Sequence, residues 1–294
     1  MNNESTCNTI DLERTTTELT MPPSDEPMID DSTNLDIETA DPPRSSCGKS
    51  YWCSVKAVEL AISILPAIVG ALLEFPTPYQ RPIPYQIVDD NIVNAFMFNI
   101  ELHGETVPNF VMVLIVVIIP FIVQLSLIGC SRRIGFNKVD MIHKSVCVWF
   151  MAIGLTQALT NFAKLYCGYF RPIFLDLCQP DENWECTGSP NELHQGRVSF
   201  LSGHASMSIC GSLLFSYFLE DAYGYKTFKK ANPTAGEDSV GLKRIGSVLC
   251  YAPMLVGYFI ALSRVHDDKH HPADVVGGSL LGGVVATLIY GIWF

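Results

Sequence analysis

Three histidines, three aspartates, an arginine and a lysine fall within Ser263-Arg264-Val265-His266-Asp267-Asp268-Lys269-His270-His271-Pro272-Ala273-Asp274, between two long apolar runs. Ionisable groups beside a stretch apolar enough to enter a bilayer are costly and mark function by default. Proline suits the first position of a helix. A helix opening at Pro272 therefore places Asp274, four residues after His270, on the same face. A carboxylate there fixes the imidazole tautomer and supports its positive charge, which makes a histidine a nucleophile or a base. Two blander readings compete: a loop of solvated charges, and a metal site drawn from His266, Asp267, Asp268, His270 and His271. No second cluster of ligands elsewhere in the chain supports the metal.

Two further stretches carry chemistry of a matching kind. Lys164 and Arg171-Pro172 close an apolar run. Seven residues make nearly two helical turns, so one helix would aim both cations the same way, about 10 Å apart along its axis. Snorkelling alone explains one lysine at a membrane rim; a pair argues for an anion. Ser202-Gly203-His204 opens the next apolar run. A helix N-terminus presents unpaired N–H groups and partial positive charge, suited to a phosphate oxygen. Ser202 is a natural N-cap with a hydroxyl to donate, Gly203 lets an anion approach the backbone, and His204 faces the same mouth. Taken alone, Ser-Gly-His is equally what any capped helix with an interfacial histidine would show.

The elements that must position these groups are membrane spans. The chain has 294 residues, is 48% hydrophobic and carries a formal net charge of −11. Residues 1–50 hold eleven acids against three bases, −8 of that total. This stretch is rich in Thr, Ser and Pro and poor in aromatics, the composition of a disordered acidic tail. Residues 51–294 form the membrane domain. Six apolar runs, at about 55–75, 110–129, 145–170, 202–220, 245–263 and 273–293, each approach the roughly 20 residues that cross a bilayer. The fold class is an all-α integral membrane protein with six transmembrane helices. The loop at 76–108 is long enough for a lid or a short interfacial helix.

Bases in the loops set the orientation. The loops at 130–144 and 221–244 hold nine Lys and Arg, the other three loops five. Both termini are therefore expected in the cytosol, with all three chemical stretches on the extracellular or lumenal side. The acidity lies in the tail and no basic patch exists, so nucleic acid is not a partner. Cys147, Cys167, Cys210 and Cys250 fall in spans and act as small apolar residues. Cys178 and Cys186 share the outer loop at 171–201, where an oxidising compartment favours a disulfide. Gly278-x-x-x-Gly282 in the last run permits close helix packing, inside the bundle or between copies in a homo-oligomer.

Lys164-x6-Arg171-Pro172, Ser202-Gly203-His204 and Ser263-Arg264-x5-His270-x3-Asp274 together resemble the three-part signature of the type 2 phosphatidic acid phosphatase superfamily, and most closely the lipid phosphate phosphatases. Pro78-Tyr79-Gln80-Arg81 and Arg197-x-Ser199-Phe200 fit as well; Leu201 departs from the proline often found there. The resemblance, over about residues 55–294, implies a helical-bundle core and a phosphoric monoester hydrolase of membrane lipids. It implies that His270 attacks phosphorus to form a phosphohistidine, that Asp274 orients it, and that His204 protonates the departing alkoxide. Lys164, Arg171, Ser202, Gly203 and Arg264 would bind phosphate. No metal and no cofactor is expected, since protein cations take the place of Mg²⁺. Expected substrates are phosphatidic acid, lysophosphatidic acid and related lipid phosphates at the plasma membrane or an endomembrane. Alternatives are a sphingoid-phosphate-selective phosphatase, a phospho-headgroup transferase, and an inactive membrane adaptor.

Overall fold

In a computed structural model the structure describes residues 46–294, apart from 84, 89–90, 95–97, 99, 103, 132–136, 233 and 235. Residues 1–45 of the expected tail lie outside the described residues. Helix α1 (Ser46–Leu72) is followed by a hairpin, β1 (Tyr85–Val88) and β2 (Asn91–Asn94). The two strands are antiparallel, with Tyr85 opposite Asn94. The outer loop thus carries a hairpin where a lid or interfacial helix was expected. Helices α2 (Asn109–Val113) and α3 (Ile119–Cys130) form one rod through a single π turn, Leu114–Ile118. The remaining helices are α4 (Lys138–Cys167), α5 (Phe174–Cys178), α6 (Pro190–Gly196), α7 (Gly203–Tyr223), α8 (Tyr225–Ala231), α9 (Glu237–Leu249), α10 (Pro253–His266) and α11 (Pro272–Trp293).

Among the described residues five segments are long and apolar enough to cross a membrane: Cys53–Leu72, Asn109–Cys130, Lys138–Cys167, Ser239–His266 and Pro272–Trp293. The chain is an integral membrane protein whose candidate spans are all helical. The sixth expected span, α7, is long enough but less apolar, because it sits inside the bundle. Ser206, Ser208, Ser212 and Ser216 are all buried on it. Three of their hydroxyls find partners within the bundle: Ser206 and Ser208 donate to the Gly203 and His204 carbonyls, and Ser216 to the Ser212 carbonyl. A helix screened from lipid by its neighbours has no need of an apolar outer face.

The lipid-facing helices show the opposite pattern. Helix α11 exposes Val276, Leu280, Val284, Leu288 and Ile292 at four-residue steps, and buries Gly278, Gly282, Val285, Ala286 and Ile289. Those buried residues meet α4 and α7 in a core of Val148, Trp149, Ala152, Cys210 and Leu214. A Cβ on Gly278 would stand 2.6 Å from the Ser202 carbonyl oxygen, and one on Gly282 would overlap that of Ser206. The small-residue spacing therefore serves packing inside the bundle, α11 on α7. Gln124, buried in α3, is satisfied by Ser145 and Trp149 of α4 at 2.9 Å each.

Candidate active site

Helix α4 stops at Cys167, capped by Gly168 in the left-handed conformation (φ 51°). A side chain at Gly168 would overlap the Tyr79 carbonyl, so only glycine lets the Pro78–Arg81 segment lie on this helix end. That segment is fastened there: Tyr79 N donates to Leu165 O at 2.9 Å and Arg81 Nη2 to Cys167 O at 2.9 Å. Arg197 Nη1 in turn donates to Arg81 O at 2.7 Å and lies over the Phe170 ring. Lys164 and Arg171 consequently do not share one helical face, as their spacing suggested. The chain leaves the helix after Cys167, and the loop carries Arg171 back to the cavity that Lys164 lines.

The start of α7 is tied to the start of α11. Ser202 N donates to the Asp274 carbonyl at 3.1 Å, while Ser202 Oγ accepts from Ala205 N at 3.4 Å. Ser202 is fully buried as the N-cap and does not line the cavity; Gly203 and His204 do. A Cβ on Gly203 would lie 3.3 Å from Lys164 Nζ, so the lysine head stands at the helix mouth.

His270 lies with Nδ1 3.6 Å from Asp274 Oδ2 and 3.5 Å from Ser199 Oγ. Ser199 Oγ donates to the same Asp274 oxygen, as does the His271 backbone N–H at 3.0 Å. Asp274 is thus held from three sides behind the imidazole. His271, the sequence rival of His270, turns its Nε2 to the Phe170 carbonyl at 3.1 Å, away from the cavity.

Three consecutive residues ahead of α2 bind the remaining side chains. Glu105 Oε2 lies 3.8 Å from Arg264 Nη1. Thr106 donates its N–H at 2.8 Å and its hydroxyl to the two oxygens of Asp267. The Val107 carbonyl accepts from His204 Nε2 at 3.2 Å. Asp267 also takes Arg264 Nη2 at 2.6 Å, which aims a buried guanidinium. This carboxylate is therefore a brace for Arg264. Among the described residues no three of His, Cys, Asp and Glu are placed to hold a metal ion.

The result is one cavity of about 320 Å³ lined by Lys164, Arg171, Arg264, Lys269, His204 and His270, with Glu74 and Glu105 as its carboxylates. Burial, then Arg264, lowers Arg171 to about 10, against the pull of Glu105 and Asp274. Lys269 is lowered by burial first and then by Arg171 and Arg264, with Glu105 opposing. Burial pushes His270 well below the ordinary imidazole range; Asp274 opposes it, and Arg171 and Lys164 reinforce it. Burial alone would raise Asp267, but Thr106 and Arg264 outweigh it and hold the carboxyl low. Arg171 Nε is buried without a hydrogen-bond partner among the described residues.

Sequence reasoning placed Lys164, Arg171, Gly203, His204, Arg264 and His270, all of which line this cavity, with Asp274 behind them. It missed Thr106, Glu105 and Lys269, and it read Asp267 only as a metal candidate. Lys269 was within reach, since it adjoins His270 in the same stretch. Thr106 was not, being 161 residues from its partner. Outside the cavity, Cys178 and Cys186 form a disulfide, S–S 2.04 Å, beside buried Phe170 and Phe174.

Fold and site together define an integral membrane protein whose alternating helices bring a cation-lined, two-histidine cavity to one end of the bundle. The chain belongs to the PAP2 superfamily, whose family model matches residues 145–294. It is similar to phospholipid phosphatase 1 of Rattus norvegicus, 28% identical over 224 residues, covering 72% of this chain and 69% of that protein. It is similar also to phospholipid phosphatase 2 of Mus musculus, 29% over 243 residues, 77% and 80% of the two chains. Lipid phosphate phosphatase 2 of Arabidopsis thaliana is 28% identical over 240 residues, 78% and 74% of the two chains. No solved structure matches the chain.

Proposed function

We propose that the chain, a phosphatase by family and by its relatives, hydrolyses lipid phosphate monoesters such as phosphatidic and lysophosphatidic acid through a phosphohistidine. One observation carries this reading. Four cationic side chains and two histidines share one cavity beside the membrane-spanning helices, and Arg171 Nε there has no partner of its own. A phosphoryl group supplies the missing charge, and its transfer is catalysed mainly by positioning and charge stabilisation.

With Nδ1 of His270 turned to Asp274, its Nε2 is the nitrogen free to attack. The new N–P bond forms as the P–O bond to the lipid alcohol breaks, and His204 gives its proton to the departing alkoxide. Water then attacks phosphorus, returns a proton to His204 and releases phosphate from His270. Lys164, Arg171, Arg264 and the Gly203 amide hold the phosphate oxygens throughout. Ser202 supports this by capping α7 rather than by direct contact. The loop bases favour both termini in the cytosol and the cavity on the opposite side.

The test is phosphate release from lysophosphatidic acid in detergent micelles. His270→Ala should lose about 10³-fold or more in kcat, while Asp267→Asn, which loosens Arg264, retains part of the rate. EDTA should leave turnover unchanged, because side chains already supply the charge. Retained turnover in His270→Ala, or a strict Mg²⁺ requirement, would refute the assignment.

A further inference from the structure

The cavity does not end at the phosphate cations. It continues down α4 past Asn161 and Thr160 to Gln157, one to two turns further along the helix. At 1.5 Å per residue, Asn161 lies about 4–5 Å and Gln157 about 10 Å below Lys164. Helices α2 and α7 add apolar side chains to the lining, Met112 and Val113 from α2 and Met207 from α7. Residues 157, 161 and 164 fall on one stripe of the helix, so the polar wall is continuous from phosphate site to membrane interior.

An amide inside a membrane span is costly unless it is paired. Thr160 Oγ1 pairs with Ser206 Oγ at 2.9 Å, and Asn161 Nδ2 donates to the Gly70 carbonyl at 2.9 Å. Gln157 is different. It is half-buried, lines the cavity, and its side-chain amide has no hydrogen-bond partner among the described residues. Its position is set by a close contact of α1 with α4: a Cβ on Gly70 would stand 3.2 Å from Gln157 Cβ, and one on Gly154 would overlap Ala67. The bundle brings α1 in tightly and yet leaves this amide unpaired, facing the cavity.

Resting on the phosphatase reading, we propose that Gln157, with the free carbonyl of Asn161, is a subsite for the hydrogen-bonding backbone of the lipid substrate. The chemistry recognised is a hydroxyl, ester or amide within a few bonds of the phosphate ester. A glycerol or a sphingoid backbone supplies it; a plain alkyl chain does not. Phosphate held between Lys164 and Arg171 places that backbone along the α4 stripe and its first methylenes against Met112 and Met207. Glu74, at the rim of the same cavity, adds a carboxylate that favours the ammonium of a sphingoid base.

The experiment compares kcat/KM for three substrates of equal chain length: lysophosphatidic acid, sphingosine 1-phosphate and the n-alkyl phosphate. A site built to bond a substrate polar group rejects an analogue that lacks it. The unaltered protein should prefer a backbone-bearing substrate over the alkyl phosphate by about tenfold or more. Gln157→Met, nearly isosteric, should collapse that ratio toward one. Preference for lysophosphatidic acid assigns the glycerol backbone, preference for sphingosine 1-phosphate the sphingoid one. Equal turnover of all three by the unaltered protein, or an unchanged ratio in Gln157→Met, would overturn the subsite. So would loss of all activity in Gln157→Met, because that would place the residue in the phosphate chemistry or the fold. Failure of the unaltered protein on every substrate refutes the phosphatase reading instead, so the two failures remain distinct.

Discussion

The two ring nitrogens of His270 have separate surroundings: Nδ1 faces Asp274 and Ser199, while the rest of the ring lies on the wall that Arg171 and Lys164 share. The proposed attack needs a neutral imidazole, so the charges around it matter twice. In the proposed reaction they hold the phosphate, and they add to burial in holding His270 below the ordinary histidine value of about 6.5. The sign follows. Replacing Arg171 by Met removes one of the charges that lower His270, so its pKa rises. The acid limb of kcat/KM should then move to higher pH, on top of an overall loss of rate. The phosphate monoester titrates near 6 in both proteins, so it cancels in the comparison. A limb that stays put or moves to lower pH would refute the coupling. At this scale the side chains gathered at the cavity were legible, because His270 and Asp274, or Ser202, Gly203 and His204, are neighbours in sequence. The braces were not. Thr106 and Asp267 meet only because α2 begins and α10 finishes at the same mouth, and nothing local to Thr106 marks it as part of a site.

Helix ends do the positioning, and close helix contacts hold the ends in place. Asp274 in the first turn of α11 accepts from Ser202 N at the start of α7 only while Gly278 and Gly282 let the two backbones touch. A valine at 282 must displace Ser206, which pairs with Thr160 of α4. Overpacking of this kind costs about 1–3 kcal/mol, and here the strain falls beside the mouth of the cavity. Gly282→Val should therefore lower both melting temperature and kcat/KM. Gly283→Ala is the control, since a Cβ there meets nothing nearer than Ile209 Cγ2 at 4.0 Å. Equal behaviour of the two variants in a thermal melt would sink the argument. Apolar run lengths made the six rods legible, but their ends less so. Run three continued in sequence to residue 170, yet Gly168 ends the helix early to seat Tyr79. Run five divides at residues 250–252, ahead of Pro253, into α9 and α10. Strands β1 and β2 were not legible, since each has four residues and one short aliphatic pair, Ile87-Val88 and Ile92-Val93.

Across the whole molecule, the direction of each rod follows from which end meets the cavity. Helices α4 and α10 finish there, α2, α7 and α11 begin there, and Glu74 brings the end of α1 to the same place. The long helices therefore alternate, and an even number of crossings returns the C-terminus to the side from which α1 starts. In the proposed orientation, which the loop bases favour, that side is the cytosol. A second, independent feature agrees: Cys178 and Cys186 are joined on the cavity side, and a disulfide persists in an oxidising compartment, not in reducing cytosol. Epitopes placed before residue 46 and after Phe294 should then resist protease added to sealed cells or vesicles of cytosol-in orientation. An epitope in the loop near Glu182, an exposed turn between the two cysteines, should be cut. Digestion of the N-terminal epitope with survival of the loop would invert the topology. It would turn the cavity to the cytosolic leaflet and, with it, change which pool of lipid phosphates can diffuse into the site.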